Sequence, residues 1–139
     1  MTANEKCFLR ALDGALGEGY RVFAQVRLAD LVEVQEKFSD ARRWAALKKV
    51  FGKSVDFVIV DRFTFEPVAA IEVDDRTHLL SGRRERDVFV NSVFEEIGLP
   101  LLRVTAKRDY SVPVIRKMLA TAGVESGMAE VAVAQRGRS

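Results

Sequence analysis

The sequence predicts an α/β fold in which helices flank a small mixed β-sheet. Three observations predict it: apolar residues at helical spacing near both ends of the chain, two adjacent apolar segments that can pair as a hairpin, and a helix followed by a further short apolar strand. The chain has 139 residues, of which 48% are hydrophobic and 30% are charged. This composition is typical of one globular domain with a proper core and excludes a globally disordered chain.

The first helix is predicted from the segment TANEKCFLRALDGALG, residues 2–17. Thr2 and Glu5 have the spacing of a capping box, apolar residues follow at helical spacing, and Gly17 ends the pattern. Cys7, the single cysteine, lies inside this helix and is expected to be a buried thiol. It cannot form an internal disulfide, which fits a reducing compartment.

The first strand is predicted from YRVFAQVRL, residues 20–28. Its alternation predicts one face formed by Val22, Ala24, Val26 and Leu28. Residues 29–53 are expected to be helical or irregular, with Trp44 as a core anchor.

The remaining elements follow a regular order. Two strands, SVDFVIVD (54–61) and PVAAIEVD (67–74), are joined by a short turn. A helix, RRERDVFVNSVFEEIG (83–98), a strand, LPLLRVTA (99–106), and a helix, SVPVIRKMLATAG (111–123), come next. The predicted order is therefore helix, strand, helical insertion, hairpin, helix, strand, helix. One domain is expected over residues 1–123, followed by a partly disordered tail over residues 124–139.

The overall charge leaves the class of partner open. Lys and Arg number 22 against 20 acids, a net charge of +2, which neither demands nor excludes nucleic acid. No apolar run approaches the roughly 18 residues of a membrane span, and no signal-peptide core is present at the N-terminus. A cytoplasmic protein without a membrane span is the expectation, although a piece of a longer anchored protein would have the same sequence features. The oligomeric state is not indicated.

The end of the second hairpin strand concentrates acids beside a buried core. Glu72 and Asp74 share a face by strand alternation, and a turn near Thr64 would set Asp56 opposite Glu72, with Cβ atoms roughly 5 Å apart. Two facing carboxylates repel unless a positive group lies between them, and a divalent cation such as Mg²⁺ is the simplest candidate. The sequence therefore predicts a metal site at Asp56 and Glu72.

Structural alternatives remain for several of these residues. Asp74 and Asp75 also have the composition of a turn, and a register shifted by one residue would separate Asp56 from Glu72. His78, the only histidine, is either a hydrogen-bonding surface residue or a group whose pKa neighbouring carboxylates would raise.

The following helix carries a polar ridge formed by Arg83, Asp87 and Asn91 at intervals of four residues. Asp87 and Arg83 can form an ordinary exposed ion pair. The cluster RRER (83–86) is the densest positive charge in the chain and is either a solvated face or a contact for a phosphate backbone, made by Arg83, Arg84 and Arg86.

These motifs together resemble a known group of proteins. An Asp in an apolar strand, the segment IEVDDRTH, and the pattern R-x-x-D-x-x-x-N-x-x-x-x-x-x-G-L-P-L-L-R-V are similar to a bacterial family of uncharacterised domains. That family is placed in the restriction-endonuclease-like PD-(D/E)XK superfamily and resembles the very-short-patch-repair type of nuclease. The resemblance covers residues 5–120 and is most specific from Val55 to Val104.

The resemblance implies roles for individual residues. Asp56 and Glu72 would bind Mg²⁺ or Mn²⁺, with the Val73 carbonyl as a third ligand. The superfamily's lysine would stand at position 74, where this chain has Asp74. His78 is the candidate substitute, and Gln25 is a candidate auxiliary residue beside the metal.

The function implied is metal-dependent hydrolysis of phosphodiester bonds, with DNA as the expected substrate. His78 would act as general acid or base or hold the phosphate. The alternative is a module that kept the fold and lost turnover, binding nucleic acid or a protein. A third possibility is a structural domain that docks a partner through the apolar face of helix 88–97.

Overall fold

The computed structural model describes residues 1–35, 52–74, 81–107 and 109–124, and for residues 32–35 and 81–86 it describes the backbone alone. The described helices are α1 (Ala3–Ala15), α2 (Leu28–Gln35), α3 (Ser81–Ile97) and α4 (Val112–Thr121). The described strands are β1 (Tyr20–Arg27), β2 (Ser54–Asp61), β3 (Pro67–Asp74) and β4 (Leu101–Thr105). The predicted tail (124–139) is described only at Val124, and Trp44 lies outside the described residues.

Helix α1 begins with the predicted capping box. The Thr2 hydroxyl accepts a hydrogen bond from the Glu5 N–H at 3.1 Å, and Glu5 Oε2 accepts one from the Thr2 N–H at 2.7 Å. These two bonds satisfy donors that the first turn of a helix leaves unpaired. They also fix the direction in which the Glu5 side chain leaves the helix.

The sheet has four strands in the order β1-β2-β3-β4. The first three strands pair antiparallel, whereas β3 and β4 pair parallel. A parallel pair requires a crossover connection, and α3 lies in the chain between these two strands. The predicted mixed sheet with flanking helices is therefore confirmed.

Apolar side chains cover both faces of the sheet, which explains why β2 is an almost continuous apolar run. One core cluster joins the sheet to α1 and α4, with Phe8, Leu12, Phe57, Ile59, Ile71, Ile115 and Leu119 among its members. The other joins the opposite face to α2 and α3, with Leu28, Leu31, Val58, Val60, Ala70, Val90, Phe94 and Ile97 among its members. We call these the α1/α4 face and the α2/α3 face.

The predicted single apolar face of β1 is wrong. Val22 packs in the cluster of the α1/α4 face, whereas Val26 and Leu28 pack in the cluster of the α2/α3 face, and Leu28 already belongs to α2. Between them lies Gln25, whose φ of 55° is in the left-handed region. A residue in that conformation interrupts strand alternation, so apolar residues of equal parity reach opposite faces.

Helix α3 starts two residues earlier than predicted and ends at Ile97. Gly98 follows with a φ of 74°, a conformation that favours glycine and ends many helices. The apolar face of α3 is covered within the chain, because Val90, Phe94 and Ile97 are buried against the sheet. None of the described helices is long and apolar enough to cross a lipid bilayer.

Candidate functional site

The candidate site lies where β2 and β3 stop pairing. The paired residues end at Phe57 and Ile71, although β2 begins at Ser54 and β3 continues to Asp74. Continuing that register by one residue would set Asp56 opposite Glu72, as the sequence predicted, and the two side chains are within hydrogen-bonding reach of each other. Asp56 Oδ2 accepts a hydrogen bond from the Val73 N–H at 2.7 Å. A side-chain carboxylate therefore binds a backbone donor at the point where the ladder of the two strands ends.

The environment of Asp56 disfavours its charge. The pKa of this carboxyl is raised to about 6: burial is the largest cause, and the neighbouring Glu5 carboxylate adds to the rise by charge and by hydrogen bonding. The hydrogen bond from the Val73 N–H and one with Glu72 act in the opposite direction. Asp56 is therefore a partly buried acid within hydrogen-bonding reach of two other carboxyl groups.

Glu5 is a site residue that the sequence did not indicate. Its capping-box role is confirmed, and the same side chain also reaches Asp56. Asp56 on β2 is therefore within hydrogen-bonding reach of Glu5 on α1 and, separately, of Glu72 on β3. The capping pattern is a local signal and contains no information on which strand the start of the helix packs against.

A second polar group surrounds Arg103, which the sequence did not indicate either. Its guanidinium lies 3.4 Å from Asp74 Oδ2 and 3.6 Å from Asp87 Oδ1, and it donates a 3.0 Å hydrogen bond to Asn91 Oδ1. Arg103 faces Glu72 in the parallel register of β3 and β4. Asp74, Asp87 and Asn91 are therefore brought together by a cation from β4. The ion pair expected between Asp87 and Arg83 stays a prediction, because only the backbone of Arg83 is described.

Gln25 completes a row of polar residues across the sheet. The pairs Ala24–Phe57 and Val26–Val55 flank it, which aligns Gln25 with Asp56. Counted in register, Gln25, Asp56, Glu72 and Arg103 lie in line across the four strands, and we call these four positions the row of polar residues. Gln25 is exposed and has a left-handed backbone conformation, and strained residues of this kind concentrate at functional sites.

Several of the predicted site residues have no described side chain. His78 and Asp75 lie outside the described residues. Arg83, Arg84 and Arg86 belong to the first turns of α3, where only the backbone is described.

The described residues supply few candidate ligands for the predicted metal ion. Within the described ranges, no group of three or more His, Cys, Asp or Glu side chains is arranged to hold a metal ion, and Glu5, Asp56 and Glu72 do not form such a group. The Val73 N–H contacts Asp56, and the role expected for the Val73 carbonyl remains a prediction.

Comparison with known proteins adds the family. Residues 1–122 match the model of a family described as a protein of unknown function, DUF2726. The chain belongs to this family. The expected relation to a family of uncharacterised domains is thereby confirmed, and the match covers every described helix and strand of this DUF2726 chain. No curated protein and no solved structure matches it.

Proposed function

We propose that the chain is a metal-dependent nuclease that hydrolyses phosphodiester bonds in DNA, with Mg²⁺ or Mn²⁺ held by Asp56 and Glu72. The observation that carries this proposal is the Asp56 carboxyl, partly buried at the open end of the β2–β3 ladder beside Glu5 and Glu72. Placing acids together in this way raises the free energy of their charged forms, and a cation would offset that cost.

The donor set fits a hard divalent cation. Carboxylate oxygens are the ligands that Mg²⁺ and Mn²⁺ prefer, and Mg²⁺ commonly uses only one or two protein carboxylates and keeps several waters. Asp56 and Glu72 would hold the ion, and Glu5 would accept hydrogen bonds from its water ligands. When bound, such an ion lowers the pKa of a water ligand and neutralises charge on the phosphate.

The chain's own residues would bind and orient the substrate around that ion. Gln25 can donate a hydrogen bond from its amide to a phosphate oxygen at the edge of the row. Arg103 pairs with Glu72 in the register of β3 and β4 and retains a side-chain exposure of 25%, so it would contribute positive charge beside the bound phosphate. His78 remains the candidate general acid or base, and Arg83, Arg84 and Arg86 the candidate backbone contacts.

The fold supports the same proposal. The order α-β-(α)-β-β-α-β-α around a mixed sheet is the order that the resemblance to the restriction-endonuclease-like superfamily implies. The candidate ligands also fall on the two strands that the resemblance implies. Fold alone does not establish activity, so the residues at the site have to be tested.

A second candidate function is a catalytically inactive module that binds nucleic acid or a protein. The observation in its favour is Asp74, which stands where the superfamily has a lysine and is engaged in an ion pair with Arg103. In such a module, the polar group around Arg103 would have a structural role alone, which is to hold α3 against the sheet. Docking through the apolar face of α3 receives no support, because that face is buried.

A nuclease assay separates the two functions. Wild type is incubated with supercoiled and single-stranded DNA and Mn²⁺, beside Asp56→Ala, Glu72→Ala and the control Glu66→Gln, an exposed acid in the hairpin turn. A nuclease cleaves as wild type and as Glu66→Gln, and loses cleavage in both site variants. Equal cleavage by all four proteins would indicate contamination, and no cleavage by wild type would favour the binding module.

A further inference from the structure

The turn end of the β2–β3 hairpin and the adjacent part of β1 display three phenylalanines to solvent. Phe63 is 82% exposed, Phe65 is 53% exposed and Phe23 is 46% exposed. Clustered exposed apolar side chains mark binding surfaces in soluble proteins, whereas single ones need no explanation. We refer to Arg21, Phe23, Phe63 and Phe65 as the aromatic track.

Hydrogen bonds fix the turn that carries two of these rings. Asp61 Oδ1 accepts from the N–H groups of Phe63 and Thr64 at 2.8 and 2.9 Å, and the Asp61 carbonyl accepts from the Phe65 N–H at 2.9 Å. These backbone N–H groups also lower the pKa of Asp61. The rings are therefore presented by an ordered turn, which reduces the entropy lost when a ligand stacks on them.

The track includes a cation beside a ring. The Arg21 guanidinium lies 6.0 Å from the centre of the Phe65 ring. A planar cation next to an exposed aromatic face offers a stacking surface together with a contact for an anion. Nucleic acid supplies both chemistries in every nucleotide, since each has an aromatic base and a phosphate.

The track runs along β1 towards Gln25, on the side of that strand where the paired residues pack on the α2/α3 face. Arg21 pairs with Val60 and Phe23 with Val58, and both valines belong to the cluster on the α2/α3 face. At about 3.3 Å per residue, Phe23 lies roughly 7 Å and Arg21 roughly 13 Å along β1 from Gln25. A strand bound at the row of polar residues can therefore continue over Phe23 towards Phe65.

We propose that the aromatic track binds single-stranded nucleic acid, with unpaired bases stacked on the phenylalanines and a phosphate at Arg21. This inference rests on the proposed nuclease function. It specifies the substrate of that nuclease as a single strand or an unpaired end. A duplex would not bind in this way, because its bases are stacked on one another and cannot stack on side chains.

The test is binding by fluorescence anisotropy with EDTA present, so that cleavage plays no part. The full chain is titrated into labelled oligothymidylate or oligouridylate of about 16 nucleotides, near the upper site size of small single-strand-binding domains. Phe65→Ala and Phe23→Ala are each expected to weaken binding about tenfold, and Phe65→Trp to retain it. Arg21→Gln is expected to reduce the slope of log affinity against log salt by about 0.7.

Control variants separate an effect of the aromatic track from a general effect of removing an exposed apolar side chain. Val114→Ala removes an equally exposed apolar side chain on α4, outside the track, and should bind as wild type. The nuclease assay with Asp56→Ala is scored apart from this titration, so loss of nuclease activity and loss of track binding are separate results. Absence of binding, equal binding by the phenylalanine variants, or a preference for duplex would overturn the inference. Self-association abolished by the same variants, without oligonucleotide binding, would overturn it in favour of a protein interface.

Discussion

Asp56 is an acid that is partly removed from water, and burial raises the pKa of its carboxyl. Its raised pKa means that the folded chain binds a proton at this carboxyl more tightly than the unfolded chain does. The resulting contribution to stability is fully present below the unfolded pKa, near 4, and is lost as the pH rises through about 6. At neutral pH the folded chain therefore carries the cost of an ionised, partly buried group.

Replacing this acid with a neutral isostere removes that cost. In EDTA, Asp56→Asn is expected to exceed wild type in free energy of unfolding at pH 8 by about 1–2 kcal/mol, after allowance for solvent screening. At pH 4 the two proteins should be nearly equal. Urea unfolding at a series of pH values measures the difference. If the difference in free energy of unfolding between the two proteins did not change with pH, its origin would not be the charge of Asp56.

Asp61→Asn is the matched control and has the opposite sign. Hydrogen bonds from the Thr64 and Phe63 N–H groups lower the pKa of Asp61, so its contribution to stability is present above the unfolded pKa and is lost as the pH falls. This variant is expected to be less stable than wild type at neutral pH, with the difference shrinking in acid.

The sequence indicated only part of the candidate site at this scale. Asp56 and Glu72 were predictable as neighbours because an acid in an apolar strand is conspicuous and because a turn near Thr64 gives the register in which the two face each other. Glu5 and Arg103 were not, since each reaches the site through packing between elements distant in sequence. The pattern around Glu5 indicates only a helix cap, and the pattern around Arg103 indicates only a strand. Neither pattern therefore predicts a role at the site.

At the scale of elements, Arg103 holds α3 against the sheet through ion pairs and a hydrogen bond. The apolar face of α3 supplies non-directional packing, whereas the guanidinium bonds to Asp87 and Asn91 of α3 and to Asp74 of β3 at fixed positions. A planar group with several donors suits this role, and a lysine ammonium would not satisfy three acceptors from two elements with the same geometry.

Arg103→Gln is expected to lower the free energy of unfolding by about 1–3 kcal/mol, because it leaves two partly buried carboxylates without this cation. Arg103→Lys should recover only part of the loss. Arg27→Gln is the control: it removes an exposed ion pair with Asp30 and should change stability by about 0.5 kcal/mol or less. Chemical denaturation of the three variants checks this. Equal effects of the two Gln variants would show that the Arg103 group adds nothing beyond a surface pair.

The order of elements was predictable, whereas the faces of β1 were not. Helical spacing, strand alternation and Gly98 identified the elements and the end of α3. The left-handed conformation of Gln25 carries no sequence signal, because glutamine, unlike glycine or asparagine, is not enriched there. One backbone dihedral without a sequence signal therefore places Val26 in the core cluster opposite to that of Val22.

At the scale of the whole molecule, a cation bound only by the folded chain must stabilise the entire domain. The α1/α4 core cluster ties α1, which carries Glu5, to β2 and β3, which carry Asp56 and Glu72, so unfolding would release the ion. An ion at 100 times its dissociation constant adds about 2.7 kcal/mol to the free energy of unfolding. For a domain of this size, that corresponds to a rise in Tm of several degrees.

We therefore expect Mn²⁺ to raise the Tm of wild type at pH 7.5 and to leave Glu72→Gln and Asp56→Asn nearly unchanged. Because a proton on Asp56 competes with the ion, the rise in wild type should shrink below pH 6. Differential scanning calorimetry over a series of metal concentrations measures both effects, with Glu66→Gln as a variant that should respond like wild type. If all four proteins responded alike, the ion would bind elsewhere. If wild type did not respond at millimolar metal, the two carboxylates would belong to a binding module, and the nuclease proposal would lose its cofactor.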